Sequence, residues 1–183
     1  KGNVKRKGEG FLGFLVRESE RGKPKIAVGG IEKGILSNGA NFQNNHTTIA
    51  VGGQGQPSLG GVRDFALKLS NYVNKEVGGY YLSNKGSSST NYVAFGPYAN
   101  NDDQHERSGL KLDASLVGKV DVTTDWHTHL SRFGDNDRMQ PSYLGPERGD
   151  VGHKERQSAS FPSLRFIIIT NRPNENTASE VDY

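Results

Sequence analysis

The chain has 183 residues, room for one domain with a substantial core but not for two. It contains no cysteine, which excludes a disulfide framework, a thiolate metal site and a cysteine nucleophile. Much of its +3 formal charge sits in Lys1, Lys5, Arg6 and Lys7. That basic tip reads as a solvated linker end, and nucleic acid is not expected as a partner because basic and aromatic residues do not interleave elsewhere.

The hydrophobic fraction is 32% and there are 24 glycines, a balance that predicts short strands, tight turns and a fair share of loop. No apolar run approaches the ~18 residues of a membrane span, and no signal peptide is visible. Met139 is the only methionine, so the chain is expected to be a piece of a longer polypeptide or a processed product.

Residues 11 to 57 read as strand and turn. Phe11 to Val16 is a short apolar run, and Ile26-Ala27-Val28-Gly29-Gly30 recurs as Ile49-Ala50-Val51-Gly52-Gly53. The repeat suggests two similar strands, each ending in a Gly-Gly bend. His46, alone between Asn45 and Thr47, reads as a surface residue. After the Pro57–Gly61 break comes the clearest helix. Val62, Phe65, Ala66, Leu69 and Val73 form one apolar face of period 3.6, with Arg63, Asp64, Lys68, Asn71 and Asn74 on the other side. Gly78 and Gly79 are expected to stop it.

Tyr80-Tyr81-Leu82 and Tyr92-Val93-Ala94-Phe95 predict a hairpin with a long loop. Asn100 to Ser108, with His105, reads as surface loop, and Leu110 to Leu116 as a short helix. Val117 to His129 predicts a strand, and Val151 to Ser160 a helix with Asp150 near its N-cap. Leu164 to Thr170 is near-continuously apolar, the pattern of a central strand buried on both sides. One edge strand is expected in the polar tail. The order predicts an α/β sandwich, a mixed sheet flanked by helices.

The candidate chemistry lies between Asp125 and Asp150. On a strand, side chains alternate faces, so His127 and His129 point the same way and can bind one metal ion. A third ligand must come from beyond them, and Asp135, Asp137 and Asp150 are the candidates. Two His and one carboxylate make a hydrolytic zinc set, which leaves a position open for a water acidified to a pKa of about 7.

With these pieces in place, the chain resembles the JAB/MPN (JAMM) metalloproteases. The resemblance rests on Lys75-Glu76-Val77-Gly78-Gly79-Tyr80-Tyr81-Leu82, similar to the family's Glu-x-x-Gly strand, and on His127-Thr128-His129. It is closer still to the JAB-like toxin domains of bacterial polymorphic (Rhs-type) toxins, through Phe133 to Ser142, Phe166 to Thr170 and Val28 to Gly34. The resemblance implies a cytidine-deaminase-like α/β fold, with a β-rich extension over 1–60 and the metalloprotease core over 61–183. It implies Zn²⁺ held by His127, His129 and Asp150, with Glu76 as general base and Ser142 supporting the site or steadying an oxyanion.

Two positions depart from the family pattern. Leu130 stands where proline is common, and Tyr143 to Gly149 separate Ser142 from Asp150 where two residues are usual. Asp150 is preferred over Asp137 and Asp135 because it opens a helix at a suitable distance from the Leu164 strand. His153, three residues on, shares the helix face of Asp150; it reads as a solvated helix residue, with a partner supporting the site or a ligand in an altered site as the alternatives. The function implied is a zinc peptidase or isopeptidase, the toxin module of a larger secreted protein delivered into a competing cell. Its expected partners are a protein or peptide substrate and a cognate immunity protein. The alternative is a JAB/MPN-like binding module without catalysis. A zinc deaminase, the third reading, normally needs cysteine ligands.

Overall fold

The computed structural model describes residues 31–36, 40–103, 111–145 and 148–183. The expected strands at Phe11–Val16 and Ile26–Gly30, the basic tip and His105 lie outside these. The described residues form six strands and three helices in the order β1 (Thr47–Ala50), α1 (Leu59–Val73), β2 (Gly78–Asn84), β3 (Tyr92–Phe95), β4 (Val120–Thr128), α2 (Asp135–Arg138), α3 (Gly149–Ser160), β5 (Arg165–Asn171) and β6 (Ala178–Asp182). They make one mixed sheet, ordered β1-β3-β2-β4-β5-β6. Only β4 and β5 run parallel, joined through α2 and α3; a parallel pair needs such a crossover. No described helix is long and apolar enough to cross a membrane.

The α1 face is as expected: Val62, Phe65, Ala66, Leu69 and Val73 are all buried. They pack on Tyr81, Val93, Phe95, Trp126, Ile167 and Ile169, which project from one side of the sheet. Phe42, Phe65, Phe95 and Trp126 form an aromatic knot, with Phe42 to Phe65 and Phe42 to Phe95 both at 5.0 Å and Phe95 to Trp126 at 4.9 Å between centroids. Each such pair adds about 0.5–1.5 kcal/mol beyond the area it buries. Residues 40–60 of the N-terminal stretch join this layer through Phe42 and through β1, which pairs with β3.

Two expectations need correction. Asn74 ends α1, in the left-handed region at φ 56°, its N–H returning to the Ser70 carbonyl. Gly78 and Gly79 instead belong to β2, where a Cβ on Gly79 would lie 1.8 Å from the Ala94 carbonyl oxygen. The glycine therefore serves close strand approach rather than helix termination. Residues 111–116 of the expected Leu110–Leu116 helix are irregular chain leading into a turn from residue 114, with the Asp113 carboxylate accepting from the Ser115 amide at 2.8 Å and its hydroxyl at 2.7 Å. Leu112 and Leu116 pack there on Leu82, Ala94 and Val120. The hairpin is present as β2 and β3, and the tail strand as β6 at the sheet edge. β5 is buried from Phe166 to Thr170, between β4 and β6.

Candidate metal centre

The site forms where β4 ends. Trp126 and Thr128 face α1, while Asp125, His127 and His129 alternate onto the opposite side, where α3 lies. Thr128 fixes this end of the strand. Its hydroxyl donates to Ser70 Oγ at 2.7 Å and accepts from the Val77 amide at 2.9 Å, while its own amide donates to the Val77 carbonyl at 2.8 Å. Ser70 Oγ donates in turn to the Lys75 carbonyl at 2.6 Å. The segment carrying Glu76 is thereby stitched to the strand carrying the histidines. His129 is held from its other flank: its amide donates to the Ile169 carbonyl at 3.1 Å, and its carbonyl accepts from the Thr170 hydroxyl at 3.1 Å.

Asp150 arrives in the first turn of α3, with Arg148 rather than Asp150 as the N-cap. Gly149 precedes it with φ +69°, and a Cβ there would stand 2.6 Å from the Ser142 carbonyl oxygen. The Ser142 amide donates to Asp150 Oδ2 at 2.7 Å, and the Asp150 amide donates back to Ser142 Oγ at 3.1 Å.

His127, His129 and Asp150 form a group that could hold a metal ion. The three donor groups stand in a triangle, with the carboxylate meeting each histidine through a different oxygen. His127 Nε2 is 3.1 Å from His129 Nε2 and 3.2 Å from Asp150 Oδ1, and His129 Nε2 is 3.3 Å from Asp150 Oδ2. A tetrahedral zinc site with bonds of about 2.0–2.1 Å has ligand-to-ligand edges of about 3.3 Å. The two histidine nitrogens stand close to that edge length, and one donor atom from each of the three residues lies within 4.8 Å of the others. Two imidazole nitrogens aimed at one point repel unless a cation or proton lies between them. His129 Nδ1 sits 3.2 Å from the Asp137 carbonyl oxygen. A carbonyl can only accept, so Nδ1 carries the hydrogen and Nε2 keeps its lone pair for the centre.

All three groups are secluded: His127 and His129 are buried, and the Asp150 side chain is 15% exposed. Burial opposes charge on His127, but the Asp150 carboxylate facing it prevails and its pKa is pushed up to about 9. Burial likewise favours protonated Asp150, and the His127 imidazolium opposite holds it well below the usual carboxylate range. The Glu76 carboxylate, also buried, stands 3.9 Å from His129 Nε2.

Of the three acids considered as third ligand, only Asp150 reaches the histidines. Asp135 is exposed and paired with Arg138 at 2.7 Å, and exposed Asp137 contributes its backbone carbonyl. His46 is exposed, as expected. His153 is half-buried, and its Nε2 donates to Asp125 at 2.8 Å, which matches the alternative of a supporting partner rather than a solvated residue. The sequence reading also passed over Arg138, which is buried and binds the Asn171 and Phe133 carbonyls at 3.0 and 3.2 Å, and Asn101, which binds the Glu76 carbonyl at 2.8 Å. Asp125 alone carried a readable signal, lying two residues before His127 on the same strand face. Tyr183 closes one side of the site, its ring meeting that of His127 edge-on at 5.8 Å. No protein-family model, curated protein or solved structure matches the chain.

Proposed function

We propose that the protein is a zinc-dependent peptidase or isopeptidase of the JAB/MPN type. The observation that carries this reading is the convergence of His127, His129 and Asp150 with a buried Glu76 carboxylate 3.9 Å from His129 Nε2. Bound zinc supplies a polarised scissile carbonyl and an acidified water. With the metal bound, Glu76 would hold the proton released by the attacking water and deliver it to the departing amine, the general acid–base role its position beside the donor triangle suits. His129, with its tautomer fixed by the Asp137 carbonyl, and Asp150, held by Ser142, keep the donor set oriented. Leu130 and Trp126, both buried, limit water behind the histidines.

The same resemblance supports a toxin module delivered into a competing cell as part of a larger secreted polypeptide, countered by an immunity protein covering the site. The non-catalytic binding module is the reading that fails to use Glu76.

Elemental mass spectrometry on untagged wild type, Asp150→Ala and Glu76→Gln tests the centre. Turnover is followed on a quenched-fluorescence library of linear and isopeptide-linked peptides. One zinc per wild-type chain is expected, lost in Asp150→Ala and kept in Glu76→Gln, with turnover in the latter down by about 10²–10⁴-fold. Wild type that takes up no zinc after reconstitution, or a Gln variant that cleaves at the wild-type rate, overturns the proposal.

A further inference from the structure

Asp125 presents a buried carboxylate, 5% exposed, on the face of β4 that carries the histidines. A carboxylate removed from water needs a partner. His153 provides it, with Nε2 2.8 Å from Asp125 Oδ2. Its ring also packs edge-on against Phe166, at 6.1 Å between centroids and an interplanar angle of 81°. Nothing in the donor triangle itself requires this pair.

Its placement relates two periodicities. Asp150 and His153 stand three apart on α3, so they share a helix face. Asp125, His127 and His129 stand two apart on β4, so they share a strand face. α3 runs back along β4, with Asp150 opposite His127 and His129 and with His153 opposite Asp125. A single contact at Asp150 would leave the helix free to roll about its axis. A roll of one residue, about 100°, would carry the carboxylate away from the histidines. Ser142 holds the start of the helix, and the Asp125–His153 bond holds the next turn.

The geometry points to His153 as a positioning residue of the metal centre: bonded to Asp125, it sets the rotation of α3 that presents Asp150 to His127 and His129. This rests on the metal-centre reading of the site. The partners of His153 are Asp125 and Phe166 rather than the three donors, so its effect passes through the helix rather than through the ion.

The test uses the full chain, with His153→Leu and His153→Gln compared with wild type. A Gln amide nitrogen can occupy the place of imidazole Nε2 and donate to Asp125; leucine cannot. Zinc dissociation constants come from chelator competition, and Tm is measured separately on metal-free protein. His153→Leu is expected to weaken zinc binding by about 10–100-fold, the cost typical of losing a partner that orients a ligand. His153→Gln is expected to restore affinity to within about threefold of wild type, on the same scale. A Leu variant that binds zinc as wild type does, with or without a lower metal-free Tm, overturns the positioning role while leaving the metal centre intact. A Gln variant as weak as Leu also overturns it. Wild type that binds no zinc overturns both this role and the metal-centre reading.

Discussion

Ser142 and Asp150 bond reciprocally across the Tyr143–Gly149 loop, amide to carboxylate at 2.7 Å and amide to hydroxyl at 3.1 Å. The reciprocal pattern is that of a capping box, made here by Ser142 from outside the helix, whose N-cap is Arg148. The pair of bonds fixes Asp150 in the first turn of α3.

Ser142→Ala should therefore act on the ligand. Loss of a capping hydroxyl costs about 0.5–2 kcal/mol of stability, and zinc affinity should fall with it because the first turn of α3 loosens. Chelator competition and thermal unfolding read the two effects. If zinc affinity stays at the wild-type value while turnover falls by two orders of magnitude or more, the hydroxyl acts on the substrate as an oxyanion donor instead.

The His127–Asp150 pair predicts an opposite pH response in metal-free and zinc-loaded protein. His127 moves from its ordinary 6.5 to about 9 on folding, burial opposing the rise and Asp150 driving it. Its contribution to stability is complete below pH 6.5 and is lost as pH climbs through 9. The depressed Asp150 contributes in the other direction, losing its share only in strong acid. Metal-free Tm should therefore fall between pH 6.5 and 9, by several degrees if the coupling is worth on the order of 2–3 kcal/mol. Zinc needs the His127 lone pair, so its affinity should rise across the same window as the proton is displaced. Scanning fluorimetry with and without chelator measures both slopes. A metal-free Tm that is flat or rising there removes the ion pair from the account.

What could be read from the sequence was periodic or local. The α1 face, the β2–β3 hairpin and the apolar β5 run follow from patterns of 3.6 and 2, and His127 and His129 share a side because one residue separates them. Asp150 was reachable through its place before a helix. The misreadings share another cause. Gly78 and Gly79 look like a helix stop, but the neighbour that demands Gly79 is the Ala94 carbonyl on another strand. Leu112 and Leu116 have helical spacing, yet the Asp113 carboxylate captures the turn locally. His153 could be placed on the face of Asp150 by its spacing, but its partner Asp125, 28 residues earlier, could not be read from there. Each depends on a contact between segments distant in sequence, which local pattern does not encode.

Glu76 offers the last prediction, through the backbone that holds it. Its amide donates to the Asp102 carbonyl at 2.7 Å, and its carbonyl accepts from Asn101 Nδ2 at 2.8 Å. Lys75 Nζ braces the same loop, donating to the Ala99 and Asn101 carbonyls at 2.8 and 2.9 Å. The backbone that carries Glu76 is thus held by the Ala99–Asp102 loop. Asn101 is 4% exposed, so Asn101→Ala leaves a buried carbonyl without its donor, at a cost of about 1–3 kcal/mol. Part of that cost should appear as lost aim at Glu76. Turnover should drop by about tenfold or more, because a modest displacement of a reacting group is expensive in rate. Zinc affinity should stay close to wild type, since β4 and α3 keep their own bonds. The contrast with Ser142→Ala is the check: one variant should lose rate and keep metal, the other should lose metal first. If Asn101→Ala weakens zinc binding and leaves the rate of the zinc-loaded fraction unchanged, the loop supports the donor set and not the base.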